Sequence, residues 1–577
     1  MKKKVLPLAV SAAAAVTMSS AQAAMYINEK GTGETLIFPF YSAENGNNTL
    51  VNIVNTVDAA ASGTDSTGAW KAVKVRIIEA QNSQEVLDFN LYLSPKDHFS
   101  FAISATEDGG AQLTTGDNSC TVPTISGAIP FVNYEYLGDV YTQAERDKWM
   151  ADNDKTAEEA DKAGKIVYDN TGLDRTQVGY IEVIEMGQID PDATGTPVWL
   201  ELRTAATASA ANDGKPISVA NSITHDSDGV PADCSLVNEA WSKLGGLPGK
   251  WLDDSASGNK GTTEMESAWL GGGLYGYATV INVPEGAAFG YDAVAVDDMV
   301  ELNDGAALHY NPGSTQPNFT DVALTNKAII TNGGVSETLT ITAYPAGIDE
   351  LQALNATMMS ATVMNDYVTD DAIAATTDWA LTFPTKTYHV TPAVPVTPFS
   401  SSWDGRLAAC EATNITMVDR EESAPPIFTP GDTPPIFSPA PPSTPVTPES
   451  DNLPICYETT IVQFAEETAM GSSSVAVGVN ARLEAEDGWA TISFLPSDLF
   501  AGGTELGSCG RDGQNVVWTD CPRLVEASAS TGNTSSMTGL PVTGFAVQKY
   551  VNGAAGGAGV LANYAMSTEH KTTAALS

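Results

Sequence analysis

The chain has 577 residues, 42% hydrophobic and 17% charged, with 71 Asp+Glu against 28 Lys+Arg. That apolar share is enough for a packed core, and the length fits two to four domains of about 150–250 residues. A formal charge of −43 repels phosphate backbones, which argues against nucleic acid as a partner and disfavours anionic membrane surfaces unless a divalent cation bridges the two.

The chain opens on Lys2, Lys3 and Lys4, a short apolar run from Val5 to Val16, and small residues from Ser19 to Ala24 with Ala21-Gln22-Ala23 as an A-x-A cleavage site. This is the pattern of a secretory signal peptide over 1–24. The run is too short to cross a bilayer, which takes about 20 residues. No Cys follows to carry a lipid, and no transmembrane segment is expected in the mature chain. Without its leader the chain keeps 25 basic residues against 71 acidic ones, a net charge of −46. Such acidity keeps an exported protein soluble; a sharper reading is a surface that gathers Ca²⁺.

Strands come first in the mature chain. Leu36–Tyr41 reads as one, with Pro39 placing it at an edge or a bulge. Asn45-Gly46 is a turn signal, and Leu50–Asn55 follows. In Trp70–Glu79, Val73, Val75 and Ile77 alternate with Lys74 and Arg76, the period of a half-buried strand. Leu87, Phe89, Leu91 and Leu93 then share a face opposite Asp88, Asn90 and Tyr92, and Phe99, Phe101 and Ile103 repeat the alternation. An antiparallel meander with one apolar face needs a second layer, so the expected fold is mainly β, an antiparallel β-sandwich or more than one.

A small helical insertion is expected near 135–250. Thr142-x-x-Glu145 and Thr156-x-x-Glu159 are capping boxes, and Leu236, Ala240 and Leu244 recur at helical spacing before Gly245. Strand patterns return at Val178–Glu185 and Tyr277–Val283. Ile348, Leu351, Asn355 and Met358 mark a short helix; Trp379, Leu381 and Phe383 mark a strand face. Residues 392–455 form a Pro-rich loop in which Pro425-Pro426-Ile427-Phe428 recurs as Pro434-Pro435-Ile436-Phe437, text that favours extended polyproline II. The division drawn on composition is 25–391, then this loop, then a C-terminal β region over 456–577 that stands alone or completes the same sandwich. Strands are expected there at Cys456–Phe464, Ala490–Phe494 and Phe545–Val551, with Asp487-Gly488 as a turn.

The segments VKVRIIEAQNSQEVLDFNLYLSP, TDWALTFPTK and GFAVQKYVNG resemble uncharacterised exported proteins of Gram-negative bacteria, over most of the mature chain. The resemblance implies export and a shared β architecture; it carries no activity.

Six cysteines in an exported chain imply a disulfide framework. Sequence alone allows 15 pairings; neighbours are favoured, giving Cys120–Cys234, Cys410–Cys456 and Cys509–Cys521. The best metal-like run is Asp226-Ser227-Asp228-Gly229 with Asp233 nearby, alternate carboxylates on a turning loop, which makes Asp226, Asp228 and Asp233 candidate Ca²⁺ ligands. It lacks the further Asp and terminal Glu of an EF-hand, and a solvated acidic turn is the plainer reading. Gly271-x-Gly273-x-x-Gly276 is followed by strand-like residues where a dinucleotide site needs a helix. Leu540-Pro541-Val542-Thr543-Gly544 matches a sortase signal but lacks the apolar span behind it. His98, His225, His309, His389 and His570 read as surface or internally satisfied histidines.

No catalytic pattern emerges, so the first expectation is no enzyme. It is a secreted or cell-surface structural or interaction protein, self-associating or joined to other surface components in a surface layer or matrix. An adhesin-like binder of glycans or proteins is the alternative, and a secreted hydrolase a third. The cell surface or medium is the expected destination, with the periplasm open.

Overall fold

The computed structural model describes residues 24–58, 69–133, 143–156, 159–160, 172–189, 219–241, 265–266, 271–299, 308–323, 325–332, 335–341, 348–391, 395–401, 409–420, 451–479, 487–494, 511–512, 515–516, 524–529, 534–551, 563–573 and 575–576. The fold is mainly β, built from nearly all-antiparallel sheets with few helices.

In the first sandwich the strands Tyr26–Ile27, Val294–Asp297, Thr35–Ser42, Val178–Ile189, Lys71–Glu79, Glu85–Leu93 and Cys120–Val122 lie side by side in that order, with Met265–Glu266 beside Val178–Ile189. Facing them is a sheet ordered Ala287–Asp292, Leu274–Asn282, Asn47–Asn55, His98–Ala105, Ala111–Thr114 and Ala128–Pro130. The alternating residues meet between the two: Val73, Val75, Ile77, Phe89 and Leu91 from one sheet, Val51, Ile53, Phe99, Phe101 and Ile103 from the other. Phe89 packs edge-on against Phe99 and Phe101, with ring centroids 6.0 and 6.4 Å away. Pro39 sits in a bulge: the register with Val178–Ile189 shifts between Tyr41–Gly179 and Phe38–Ile181, which spares a residue without an N–H from the ladder.

Two expectations change here. Lys71–Glu79 is buried along its whole length and on both faces, so Lys74 and Arg76 do not face water. The covering layer comes from far along the chain, with Leu308, Tyr310, Phe319 and the helix Asp349–Met358 packing over Ile37 and Ile184. The span 135–250 is likewise no continuous helical insertion. Its helices Gln143–Asn153, Val219–Ile223 and Ser235–Trp241 are interrupted by Val178–Ile189, buried at every position and internal to the first sheet. The Thr156–Glu159 capping box does form: Glu159 N donates to Thr156 Oγ1 at 3.3 Å and Thr156 N to Glu159 Oε2 at 2.9 Å.

The second sandwich pairs a sheet ordered Asp451–Ile455, Glu411–Asp419, Asp487–Ser493, Thr362–Val368 and Lys571–Thr573 with one ordered Ala476–Gly478, Thr459–Gln463, Ala375–Thr382, Thr543–Tyr550 and Tyr564–Glu569. Trp379, Leu381 and Phe383 lie in its core with Ile415, Val462, Ile492 and Ala546. Strands from both sides of the Pro-rich stretch build it, Thr362–Val368, Ala375–Thr382 and Glu411–Asp419 before residues 421–450 and Asp451–Ile455, Thr459–Gln463, Asp487–Ser493 and Thr543–Tyr550 after them. Glu411–Asp419 and Asp451–Ile455 pair directly, Glu411 opposite Ile455, and the Cys410–Cys456 disulfide closes the same base. Residues 421–450 lie outside the described residues. Asp487-Gly488 is the start of a strand, paired with Val368 and Tyr367, and no turn. A smaller five-stranded sheet, which includes Lys327–Asn332 and Val335–Ile341, packs against the helix Asp349–Met358.

The sandwiches dock directly. Phe545 stacks on Tyr291 at 4.4 Å beside Phe40 and Phe289. Asn47 Nδ2 donates to Met470 O at 2.8 Å, and Lys549 Nζ is 2.9 Å from Glu285.

Candidate binding cleft

Where the sandwiches meet, a cleft of about 1230 Å³ opens among the ends and edges of several sheets. Its walls come from 27–31, from Tyr277–Thr279 and Gly290–Ala295 of the first sandwich, from 329–331 and 357–360, and from 542–545 and 567–573 of the second. Outermost strands border it, among them Ala287–Asp292, Tyr564–Glu569 and Lys571–Thr573. The Tyr291–Phe545 stack lies at its base, where the Tyr291 hydroxyl donates to Phe40 O. Glu29, Lys30, Asp292 and Glu569 stand exposed along the rim.

His570 lines the cleft at the bend between the last two of those strands. Ala380 O can only accept, so Nε2 carries the proton and donates to it at 3.0 Å, leaving Nδ1 to accept from Asn365 Nδ2 at 3.1 Å. The ring packs on Trp379 at 5.3 Å, and burial pushes its pKa down to about 4. A neutral ring with both nitrogens engaged fixes the bend rather than carrying protons. His309 meets Tyr92 Oη at 2.9 Å and His389 meets Asn355 Nδ2 at 2.8 Å.

A second polar concentration lies on the covered face of the first sheet. Lys74 pairs with Asp88 at 3.0 Å, and Arg76 with Glu85 at 2.6 Å and with Glu182. At the two ends of the strand Lys71–Glu79, Lys71 pairs with Glu185 at 2.9 Å and Glu79 with Arg175 at 2.7 Å. Burial pushes Glu85, Glu182 and Glu185 above the ordinary carboxylate range and Lys74 below the ordinary lysine one. Each cation stands against a carboxylate in a layer closed to solvent, the arrangement of a structural network rather than of a binding site.

These buried carboxylates set the response to pH. Burial raises Asp378 to about 6 and Glu458 to about 8. The folded chain therefore keeps protons that the unfolded chain has already released, and stability falls as pH rises through that window. The buried histidines act oppositely, as their unfolded forms lose protons on both sides of about 6.5. The fall due to Glu458 is therefore read against Glu458→Gln: between pH 6.5 and 7.5 the parent's urea midpoint is expected to drop relative to the variant's, by up to about 1 kcal/mol of stability. A parent midpoint that climbs relative to the variant's over that interval would contradict the charge assigned to Glu458.

The predicted site residues are used locally. Asp226 Oδ1 accepts from the backbone N–H of Asp228 at 2.9 Å and of Val230 at 3.2 Å. Asp233 Oδ1 accepts from Ser235 N at 3.1 Å, at the start of the helix Ser235–Trp241. Asp226, Asp228 and Asp233 are not gathered around a common point, and among the described residues no three His, Cys, Asp or Glu side chains are grouped to hold a metal. Cys120–Cys234 and Cys410–Cys456 are bonded as the spacing predicted; Cys509 and Cys521 lie outside the described residues. The glycine run leads straight into the strand Leu274–Asn282, where a Cβ on Gly276 would come within 2.4 Å of the Phe38 ring. In the sortase-like motif Leu540, Val542 and Thr543 are buried, and a Cβ on Gly544 would lie 2.0 Å from Ala380 O.

One grouping was missed by sequence reasoning. Ser94 Oγ and Asp97 Oδ2 approach His225 Nδ1 at 3.3 and 3.5 Å, across a sequence gap no motif spans. It is not a catalytic triad, because hydroxyl and carboxylate face the same ring nitrogen, whereas a triad uses opposite ones. Asp97 also accepts from the backbone N–H of Ser94 at 3.0 Å and of His98 at 2.8 Å, which makes it the anchor of its own turn.

No protein-family model, curated protein or solved structure matches this chain.

Proposed function

We propose that this is an exported structural or interaction protein of the cell surface, which associates with copies of itself, or with other surface components, in a surface layer or matrix. The observation that carries the reading is an apolar patch at the C-terminal edge of the second sandwich. Tyr564 is 53% exposed and Met566 49%, on the outermost strand of their sheet. Tyr550 stacks on Tyr564 at 4.9 Å, and the exposed Val551 and Ile373 continue the patch, joined through the Val551 N to Ala374 O hydrogen bond of 3.1 Å. The next strand, Lys571–Thr573, is exposed at every residue and ends the facing sheet. Exposed edges and contiguous apolar surface are templates for association. Two disulfides fit an oxidising destination.

High negative charge opposes close approach of copies, so neutralisation by Ca²⁺ should favour it. Sedimentation velocity of the mature protein is expected to show higher-order species that increase with millimolar Ca²⁺. The double variant Tyr564→Glu/Met566→Glu should raise the concentration needed for assembly at least tenfold while leaving the melting temperature within a few degrees. A protein that stays monomeric at high concentration with and without Ca²⁺, or a variant that assembles like the parent, would overturn the proposal.

A further inference from the structure

Apart from the C-terminal patch, the strand Leu274–Asn282 carries a second exposed aromatic feature. Tyr275 and Tyr277, two residues apart, project on the same face of the second sheet, away from the core that takes Leu274, Ala278 and Val280. Their rings are nearly parallel, 18° apart, with centroids at 6.2 Å. Tyr277 is 37% exposed.

Polar side chains surround it. Tyr277 lies opposite Asn52 on one neighbouring strand and Asp292 on the other. Asn52 in turn lies opposite Ser100, and its Oδ1 meets His98 Nε2 at 3.1 Å. An aromatic face flanked by an amide, a carboxylate and a hydroxyl suits a molecule that presents C–H groups on one side and hydroxyls around its rim. Tyr277 and Asp292 also form one lip of the cleft between the sandwiches, whose wall continues through Thr279, Asn28, Ser567 and Thr572. At about 1230 Å³ the cleft exceeds the usual volume of a small-ligand pocket, roughly 300–1,000 Å³, and has room for several rings. With a net charge of −43, the chain repels acidic polysaccharides and leaves neutral ones unhindered.

We propose that Tyr275, Tyr277, Asn52 and Asp292, with the adjoining cleft, form a binding site for neutral oligosaccharides, Tyr277 supplying the stacking ring. The stacking tyrosines lie on a different strand from Tyr564 and Met566, so substitutions at Tyr277 and at Tyr564/Met566 test sugar binding and self-assembly separately.

The test is an array of immobilised neutral and acidic oligosaccharides probed with the mature protein, followed by titration calorimetry on the best neutral hit. Binding is expected among the neutral sugars. Tyr277→Ala should weaken it at least tenfold with unchanged melting temperature and unchanged sedimentation behaviour, whereas Tyr277→Phe, which keeps the ring, should stay within about threefold. Absence of neutral hits, binding confined to acidic sugars, or Tyr277→Ala binding like the parent would each overturn the assignment.

Discussion

Replacing Arg76 with Ala is expected to cost about 3–5 kcal/mol of stability, because it strands two buried carboxylates at once. Arg76 holds Glu85 at 2.6 Å and also pairs with Glu182 from the neighbouring strand, and both acids are buried. Burial already pushes both acids upward, so removing the guanidinium leaves protonation as their remaining relief. The variant should therefore regain part of its stability at lower pH, and adding Glu182→Gln to it should recover more. Urea unfolding followed by tryptophan fluorescence measures both effects. A loss under about 1 kcal/mol would show that solvent reaches this layer.

Removing the disulfide Cys120–Cys234 by a double Ser substitution is expected to have an effect of similar size. The bond spans 114 residues, and a loop of that length gives roughly 5 kcal/mol in the chain-entropy account. Its local role is equally specific. Cys120 lies in the last strand of the first sheet, and Cys234 immediately precedes the helix Ser235–Trp241. Together with Ala72, Tyr92, Met186, Val219, Ile223, Leu236 and Val237 they form a core of their own, too small to hold the two short helices without the bond. Hydrogen exchange should thus rise first over 219–241 in the Ser variant or under reductant, with the sandwich core at Val73–Ile77 protected for longer. Equal loss across both regions would contradict a local staple.

The strands that face one core were legible, because period-2 alternation at Val73–Ile77, Leu87–Leu93 and Phe99–Ile103 reports a single buried face. What alternation does not report is whether the other face is covered. Lys74, Arg76, Asp88 and Asn90 look like a solvent face, yet Asn90 Nδ2 donates to Tyr310 O at 2.9 Å, some 220 residues away. The same limit applies to Asp487-Gly488: a turn dipeptide can be absorbed into a sheet when a neighbouring strand comes so close that only glycine fits, here with Val418 O 2.0 Å from where a Cβ would lie. The pairings Cys120–Cys234 and Cys410–Cys456 were legible because these neighbours along the chain are also neighbours in the fold. The cleft was not: its walls come from seven separated stretches, and Tyr277 read as one more strand residue. The exposed patch at Tyr564–Met566 was equally hidden, since an edge strand and an internal one share the same text.

Fractionating the cells that make this protein and alkylating thiols in each fraction decides whether it is exported, oxidised and held at the cell surface. The protein is expected in the surface fraction or the medium, beginning at Ala24 or Met25, with Cys120, Cys234, Cys410 and Cys456 refractory to alkylation. Recovery from the cytosol, with residues 1–24 still attached and those four thiols reactive, would contradict it.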